Sequence, residues 1–312
     1  MKNYTIAIHG GAGTLLKENM TTEKENAYKQ ALDTSIDAAV EILESGGSAI
    51  EAVTIAVKSM EDSPLFNAGK GSVFTAQGTH EMDAAIMDGK DLNAGAVSLI
   101  TGIKNPVDLA RDVMEHSEHV FLAGDGAMEF AKSRDYQLED ADYFFDQLRY
   151  DQWQEIKGSD SFQLDHSVKK DSKFGTVGAV AMDQNGNLAA ATSTGGMTNK
   201  KWGRIGDSPM IGAGNYANND TCAVSCTGSG EYFIRGVVAY EVSALMEFKN
   251  MSLEDAAHEV IQKRILKLGG DGGLIAVDAK GNITLPFNTA GMYRAFAGAK
   301  LQKTISIYSD QD

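Results

Sequence analysis

The chain has 312 residues, of which 43% are apolar and 23% charged, and it carries a formal net charge of −15. That length allows two ordinary domains or one large α/β domain with a sizeable core. The acidity argues against wholesale binding to nucleic acid or an anionic membrane, and no stretch approaches the ~20 apolar residues of a membrane span.

Tyr4 to Ile8 reads as a short strand, too brief an apolar start for a signal peptide. It runs into His9-Gly10-Gly11-Ala12-Gly13. This stretch lacks the G-x-G-x-x-G spacing of a dinucleotide site and the Lys-Ser or Lys-Thr pair of a phosphate loop. The glycines read as a turn where backbone comes close to another element, and His9 as a packed or hydrogen-bonded histidine rather than a base. Thr22 and Glu25 predict a capping-box start to a helix that stops at Gly46-Gly47, and a second helix runs from Ala49 to Met60. The loop from Glu61 to Ser72 mixes apolar residues with Asn and Gly, so it is expected to be buried and structured. Its carbonyls then need either backbone donors or a hard cation.

Strands are expected at Met82 to Met87 and Gly95 to Ile100 with a turn at Asp88-Gly89, and a helix opens at Asn105-Pro106. Val120 to Ala123 reads as a strand and Ala127 to Ser133 as a helix. The acidic, aromatic segment Asp135 to Lys157 is expected to be helical around Phe144, Phe145, Leu148 and Trp153. The polar stretch 158–175 reads as a mobile linker.

An abrupt apolar run follows, Gly175-Thr176-Val177-Gly178-Ala179-Val180-Ala181-Met182-Asp183, and a turn at Asn185-Gly186 pairs it with Leu188 to Thr194. Two readings of Thr176 stand. In one, Gly-Thr merely opens a β-hairpin, threonine being a good strand residue. In the other, Thr176 is both the cleavage point of a precursor and the nucleophile of the mature chain. A threonine hydroxyl needs an adjacent base. A cut before Thr176 frees an α-amine, with a pKa of about 7.7–8.0, that can take this role. The same hydroxyl can make the cut by attacking the carbonyl of Gly175.

Downstream, a glycine-rich loop carries Arg204 and Asp207 three residues apart. Thr221 to Cys226 reads as a strand, Tyr232 to Glu247 as a helix, and Ser252 caps a helix to Leu268. Gly273 to Asp278 and Asn282 to Leu285 close as a final strand pair that repeats the Asp-to-Gly-Asn turn of the Thr176 hairpin. The only cysteines, Cys222 and Cys226, share one strand face but lie too far apart to bond, which fits a reducing, cytoplasmic compartment. Zinc spacings, H-E-x-x-H and the G-x-S-x-G elbow are absent from the sequence. Hairpins and paired helices together argue for an α/β (α+β) chain of antiparallel sheets covered by helices rather than a doubly wound parallel sheet.

Four segments, Gly175 to Ala181, Thr192 to Lys200, Gly203-Arg204-Ile205-Gly206-Asp207-Ser208-Pro209 and Ile211 to Gly214, resemble in order the plant-type asparaginase and isoaspartyl peptidase family of N-terminal nucleophile hydrolases. His9 to Gly13, Pro64 to Gly69, Met82 to Gly89 and Pro286 to Thr289 extend the resemblance over nearly the whole chain. The resemblance implies a single domain over 1–312, a four-layer αββα sandwich, and self-cleavage between Gly175 and Thr176 into an α chain (1–175) and a β chain (176–312). It implies Thr176 as nucleophile with its own amine as base, Thr194 beside it tuning the hydroxyl, and Asn67 fixing the Thr176 segment. Arg204 and Asp207, with the backbone of Gly230, would clamp the α-carboxylate and α-amine of an aspartyl group, roles that suit a forked donor and a carboxylate. Thr227 and Gly228 would hold the oxyanion.

The carbonyls of Met60, Glu61, Ser63, Phe66, Ala68 and Lys70 would ligate a structural sodium ion, with no organic cofactor. The implied substrates are L-asparagine and β-aspartyl dipeptides, and the implied assembly is a dimer of αβ units. Lys201-Trp202 is expected at the rim, restricting leaving groups. A glycosylasparaginase-like or protein-directed hydrolase of the same fold, and an uncut scaffold protein, remain the alternatives.

Overall fold

The computed structural model describes residues 3–158 and 175–309. Residues 159–174 of the expected linker lie outside the described residues.

Eight strands form one sheet: β1 (Thr5–Gly13), β2 (Met82–Asp88), β3 (Ala94–Ile100), β4 (Phe121–Ala123), β5 (Val177–Met182), β6 (Leu188–Thr194), β11 (Gly291–Gly298) and β12 (Leu301–Tyr308), in the order β12-β11-β1-β5-β6-β2-β3-β4. A second sheet has the order β10-β9-β8-β7, made of β7 (Asn215–Ala217), β8 (Cys222–Gly228), β9 (Gly272–Asp278) and β10 (Ile283–Thr284). Neighbouring strands are antiparallel except β3 and β4, whose parallel pairing is made by the crossover helix α3 (Pro106–His116). The expectation of mainly antiparallel sheets therefore holds.

Both faces of the central strands are buried, and residue parity sorts their side chains. In β5, Val177, Ala179 and Ala181 join one core cluster and Val180 and Met182 another. The first cluster also holds Leu32 and Ile36 of α1 (Thr22–Glu44) and Val53 and Val57 of α2 (Ala49–Glu61). The second also holds Ala223 of β8 and Ile275 and Val277 of β9. The alternate residues of those strands, Val224, Leu274 and Ala276, join a third cluster with Val242 of α8 (Val238–Lys249). A period of two is what a pleated strand imposes. Each fully buried Val, Leu or Ile contributes about 1.5–3 kcal/mol. Cys222 and Cys226 both point into the third cluster and are free thiols.

The repeated turn is present at atomic detail. Asp183 Oδ1 accepts from the N–H groups of Asn185 and Asn187, and Asp278 Oδ1 does the same from Lys280 and Asn282. In both, the side-chain amide of the closing Asn, Asn187 or Asn282, donates back to the other carboxylate oxygen. An Asp that satisfies two turn N–H groups explains why both hairpins use the same residues.

Several local expectations are corrected. The glycine segment after Ile8 is not a turn: β1 continues to Gly13, with a register shift between His9 and Gly11 marking a bulge. The cap of α1 is Thr21, accepting from Lys24 N, and Glu25 instead bonds Lys29 and Tyr308. The expected helix Tyr232 to Glu247 is two, α7 (Gly230–Gly236) and α8, broken at Val237 with φ +47°. After α4 (Gly124–Ser133), the acidic, aromatic segment forms two short helices, α5 (Ala141–Phe144) and α6 (Gln147–Ile156), with Trp153 stacked on Phe74. Strands β7, β11 and β12 were not expected. β7 is only three residues long, and β11 carries Arg294 and two glycines that obscure its alternation.

Candidate active site

Thr176 immediately precedes β5 and is 6% exposed. The ladder pairs Val177 with Ser193, which brings Thr176 and Thr194 together at its end, and Asp83 of β2 pairs with Thr194 on the other side. Thr176 Oγ1 lies 3.1 Å from Ser208 Oγ, and the Thr194 hydroxyl accepts from Gly196 N at 3.0 Å. Gly175 has φ +23°, a left-handed conformation that side chains disfavour. A Cβ on Gly175 would stand 3.3 Å from Thr227 Oγ1, so that hydroxyl sits beside the Gly175–Thr176 peptide. Thr227 is fully buried, and its hydroxyl has no partner among the described residues. An unpaired buried polar group costs about 1–3 kcal/mol, so its persistence marks a place for a ligand oxygen.

Asp207 is a second such group. It is 3% exposed, its Oδ2 is without a partner among the described residues, and burial raises its carboxyl to about pKa 7 against the lowering pull of Arg204. Arg204 does not bond Asp207 directly. Its Nε and Nη2 donate to the two carboxylate oxygens of Glu231 at 2.8 and 2.9 Å. The two residues converge at Gly230, where a Cβ would lie 2.9 Å from Asp207 Oδ1 and 3.0 Å from Arg204 Nη2. Only bare backbone leaves that space open. Because Ser208 follows Asp207 in the chain and touches Thr176, the carboxylate and the hydroxyl sit within one residue of contact.

Asn67 ties the preceding loop to this end of the ladder. Its Nδ2 donates to Gly196 O at 2.7 Å, its Oδ1 accepts from Val73 N at 3.0 Å, and its own carbonyl accepts from Gly195 N at 2.9 Å. The loop is buried at Phe66, Asn67, Ala68 and Ser72, as its composition led us to expect. Met60, Phe66 and Ala68 carbonyls each accept a backbone N–H, from Ser63, Ala68 and Gly71. Those of Glu61, Ser63 and Lys70 receive no backbone bond among the described residues. Carbonyls with spare lone pairs are the donor type a hard monovalent cation accepts.

Sequence reasoning overlooked Ser208, Glu231, Lys200 and Asp83 here. Ser208 was visible only as the residue after Asp207. Glu231 stood within a segment read as a helix start. Lys200 is 2% exposed, and burial lowers its pKa while nearby Asp83 raises it; its Nζ donates to Glu81 O at 2.6 Å. Burial conversely raises Asp83, and Lys200 offsets this. Trp202, which the sequence placed with Lys201 at the rim, is 89% exposed with φ +56° and lies next to the loop that carries Arg204.

Comparison with known proteins covers nearly the whole chain. A family model described as Asparaginase matches residues 2–307. An isoaspartyl peptidase of Salmonella typhimurium is 50% identical over 313 residues, covering 99% of this chain and 100% of the relative. An isoaspartyl peptidase of Escherichia coli is 49% identical, covering 100% and 98%. An isoaspartyl peptidase/L-asparaginase of Mus musculus is 41% identical, covering 98% and 91%.

Proposed function

The chain belongs to the asparaginase family whose model spans residues 2–307, and from that premise we propose that it is a self-processing threonine amidohydrolase that converts β-aspartyl dipeptides and L-asparagine to L-aspartate. The observation that carries the chemistry is the pairing of a buried hydroxyl, Thr176, with two orphaned buried groups around it, Thr227 Oγ1 and Asp207 Oδ2.

In processing, Thr176 Oγ1 attacks the carbonyl carbon of Gly175, the acyl group passes from nitrogen to oxygen, and water hydrolyses the ester. The products are residues 1–175 and 176–312. In turnover, the freed amine takes the hydroxyl proton as the oxygen attacks the substrate β-carbonyl. Arg204 holds the substrate α-carboxylate, Asp207 the α-ammonium, and Gly230 leaves them room. Negative charge developing on the carbonyl oxygen is met by Thr227 Oγ1 and the Gly228 N–H, donors of a kind worth about 3 kcal/mol each in such steps. The protonated amine then passes its proton to the leaving nitrogen, and water releases L-aspartate from the acyl-Thr176 ester. Thr194 and Asn67 keep the end of the ladder in place.

A sodium ion held by the carbonyls of Met60, Glu61, Ser63, Phe66, Ala68 and Lys70 would take up their spare lone pairs and stiffen the loop that Asn67 ties to Gly195 and Gly196. The three separate core clusters, each at a different face of the two sheets, support a four-layer αββα arrangement. Cytoplasmic location and a dimer of αβ units complete the proposal. Free buried cysteines are consistent with the first. Among the described residues, no helix is long and apolar enough to cross a membrane.

The decisive experiment is Thr176→Ala. Denaturing mass measurement should show one full-length chain instead of two fragments, with no release of aspartate from β-aspartyl dipeptides or ammonia from asparagine. An active Thr176→Ala protein would falsify the mechanism.

A further inference from the structure

His9 of β1 pairs with Gly178 of β5 and is fully buried. Its Nδ1 lies 3.0 Å from the carbonyl oxygen of Thr176, and its Nε2 lies 3.0 Å from Ser225 Oγ. Ser225 Oγ is 2.7 Å from Thr192 Oγ1, which accepts from Asn215 Nδ2 at 3.1 Å. All four side chains are fully buried, and they come from β1, β8, β6 and β7, so the network joins both sheets.

Only one arrangement of protons satisfies every link. A carbonyl oxygen only accepts, so Nδ1 must carry the ring proton. Burial drives the His9 pKa down to about 3, so the ring is neutral and Nε2 is a bare acceptor. Ser225 therefore donates to Nε2. Its oxygen accepts from Thr192, whose proton takes the 2.7 Å path to Ser225 over the 3.3 Å path to Gly214 O. The Thr192 oxygen is left to accept from Asn215. A Cβ on Gly178 would overlap both Ser225 Oγ and His9 Nε2, so glycine at that position keeps the link possible.

We infer that His9 is a positioning residue for the reaction of Thr176, its Nδ1–H anchoring the Thr176 carbonyl once the peptide bond to Gly175 has been cut. The inference rests on the reading of Thr176 as nucleophile. In the uncut chain two peptide bonds hold Thr176. After the cut only one does, and a new terminus frays unless it is tied down. The hydroxyl cannot serve as the tether, because its proton and lone pairs are used in turnover. The carbonyl takes no part in the chemistry, so a fixed donor there holds the hydroxyl and the amine in place without competing with either. Misplacement by about 1 Å is enough to cost on the order of 100-fold in rate.

Two variants separate this role from packing. His9→Asn sets an amide N–H near the place of Nδ1, whereas His9→Leu fills the volume with no donor. For cleaved protein assayed on a β-aspartyl dipeptide, His9→Leu should lower kcat by about 10–100-fold with KM within about two-fold, and His9→Asn should recover most of it. Cleavage itself should slow less than turnover, since the uncut chain holds Thr176 from both sides. A cleaved His9→Leu enzyme with wild-type kcat overturns the inference, as does an Asn variant no better than Leu. If neither variant folds, ¹⁵N NMR of the wild-type imidazoles decides, with His9 assigned by its response to Ser225→Ala. Protonation at Nδ1 supports the anchor, and protonation at Nε2 removes it. The NMR result does not depend on activity, so it stands apart from a failure of the nucleophile reading, which Thr176→Ala reports.

Discussion

Asp207 shows how a single burial decision shapes a site. The carboxyl is held near pKa 7 because it lies out of water, an effect that outweighs the lowering pull of Arg204, and the nearby Glu231 carboxylate raises it further. A substrate ammonium favours the ionised form, so docking below pH 7 must first expel a proton. KM for a β-aspartyl dipeptide is therefore expected to rise about ten-fold per pH unit below that point. The acid limb of kcat, by contrast, should follow the Thr176 amine of the bound complex. Asp207→Asn should raise KM strongly and flatten its pH dependence, as steady-state kinetics from pH 5 to 9 would show. A KM that stays constant across that range in the wild-type chain would mean that Asp207 does not meet the ammonium.

Among the elements, the junction of α2 and α3 stores a comparable tension. Glu61, the last residue of α2, is fully buried. Its Oε1 accepts from Val107 N at 3.0 Å, in the first turn of α3, and burial raises its carboxyl to about pKa 8. A carboxyl whose folded pKa exceeds its unfolded value binds its proton more tightly when folded. Its contribution to stability is thus complete below the unfolded value of 4.5 and is lost as pH rises through about 8. Urea unfolding midpoints should fall between pH 5 and pH 9. Glu61→Gln, which keeps the acceptor for Val107 and cannot ionise, should flatten that fall. An unchanged slope in the variant would place the ionisation elsewhere.

At the scale of the whole molecule, central strands buried on both faces leave little tolerance for movement, so the loop from Met60 to Lys70 can transmit its state to the ladder end through Asn67. If a sodium ion sits in that loop, it binds the folded chain alone. Exchanging sodium for choline at constant ionic strength should then lower stability, by up to about 2.7 kcal/mol for a hundred-fold excess over Kd. Identical thermal unfolding in both salts would remove the ion from the proposal.

The sequence by itself determined what depends on short-range pattern. Apolar runs bounded by turns marked β5, β6, β8 and β9, Ser252 marked a helix start, and the Asp183 and Asp278 turns were legible because each is closed within five residues. The order of the Gly-Thr, Gly-Arg and Gly-Asp segments was also enough to point to the family. Tertiary structure alone decided which side chains meet across long separations. Nothing near Thr176 in the chain announces Ser208, 32 residues away, or His9, 167 residues away, and nothing near Arg204 announces Glu231. The long strands β11 and β12 likewise gain their meaning from β1, nearly 300 residues earlier, against which β11 pairs. Local sequence fixes dihedral preferences and faces, but contacts between distant residues depend on register and on how the two sheets face each other. Those are properties of the folded chain as a whole.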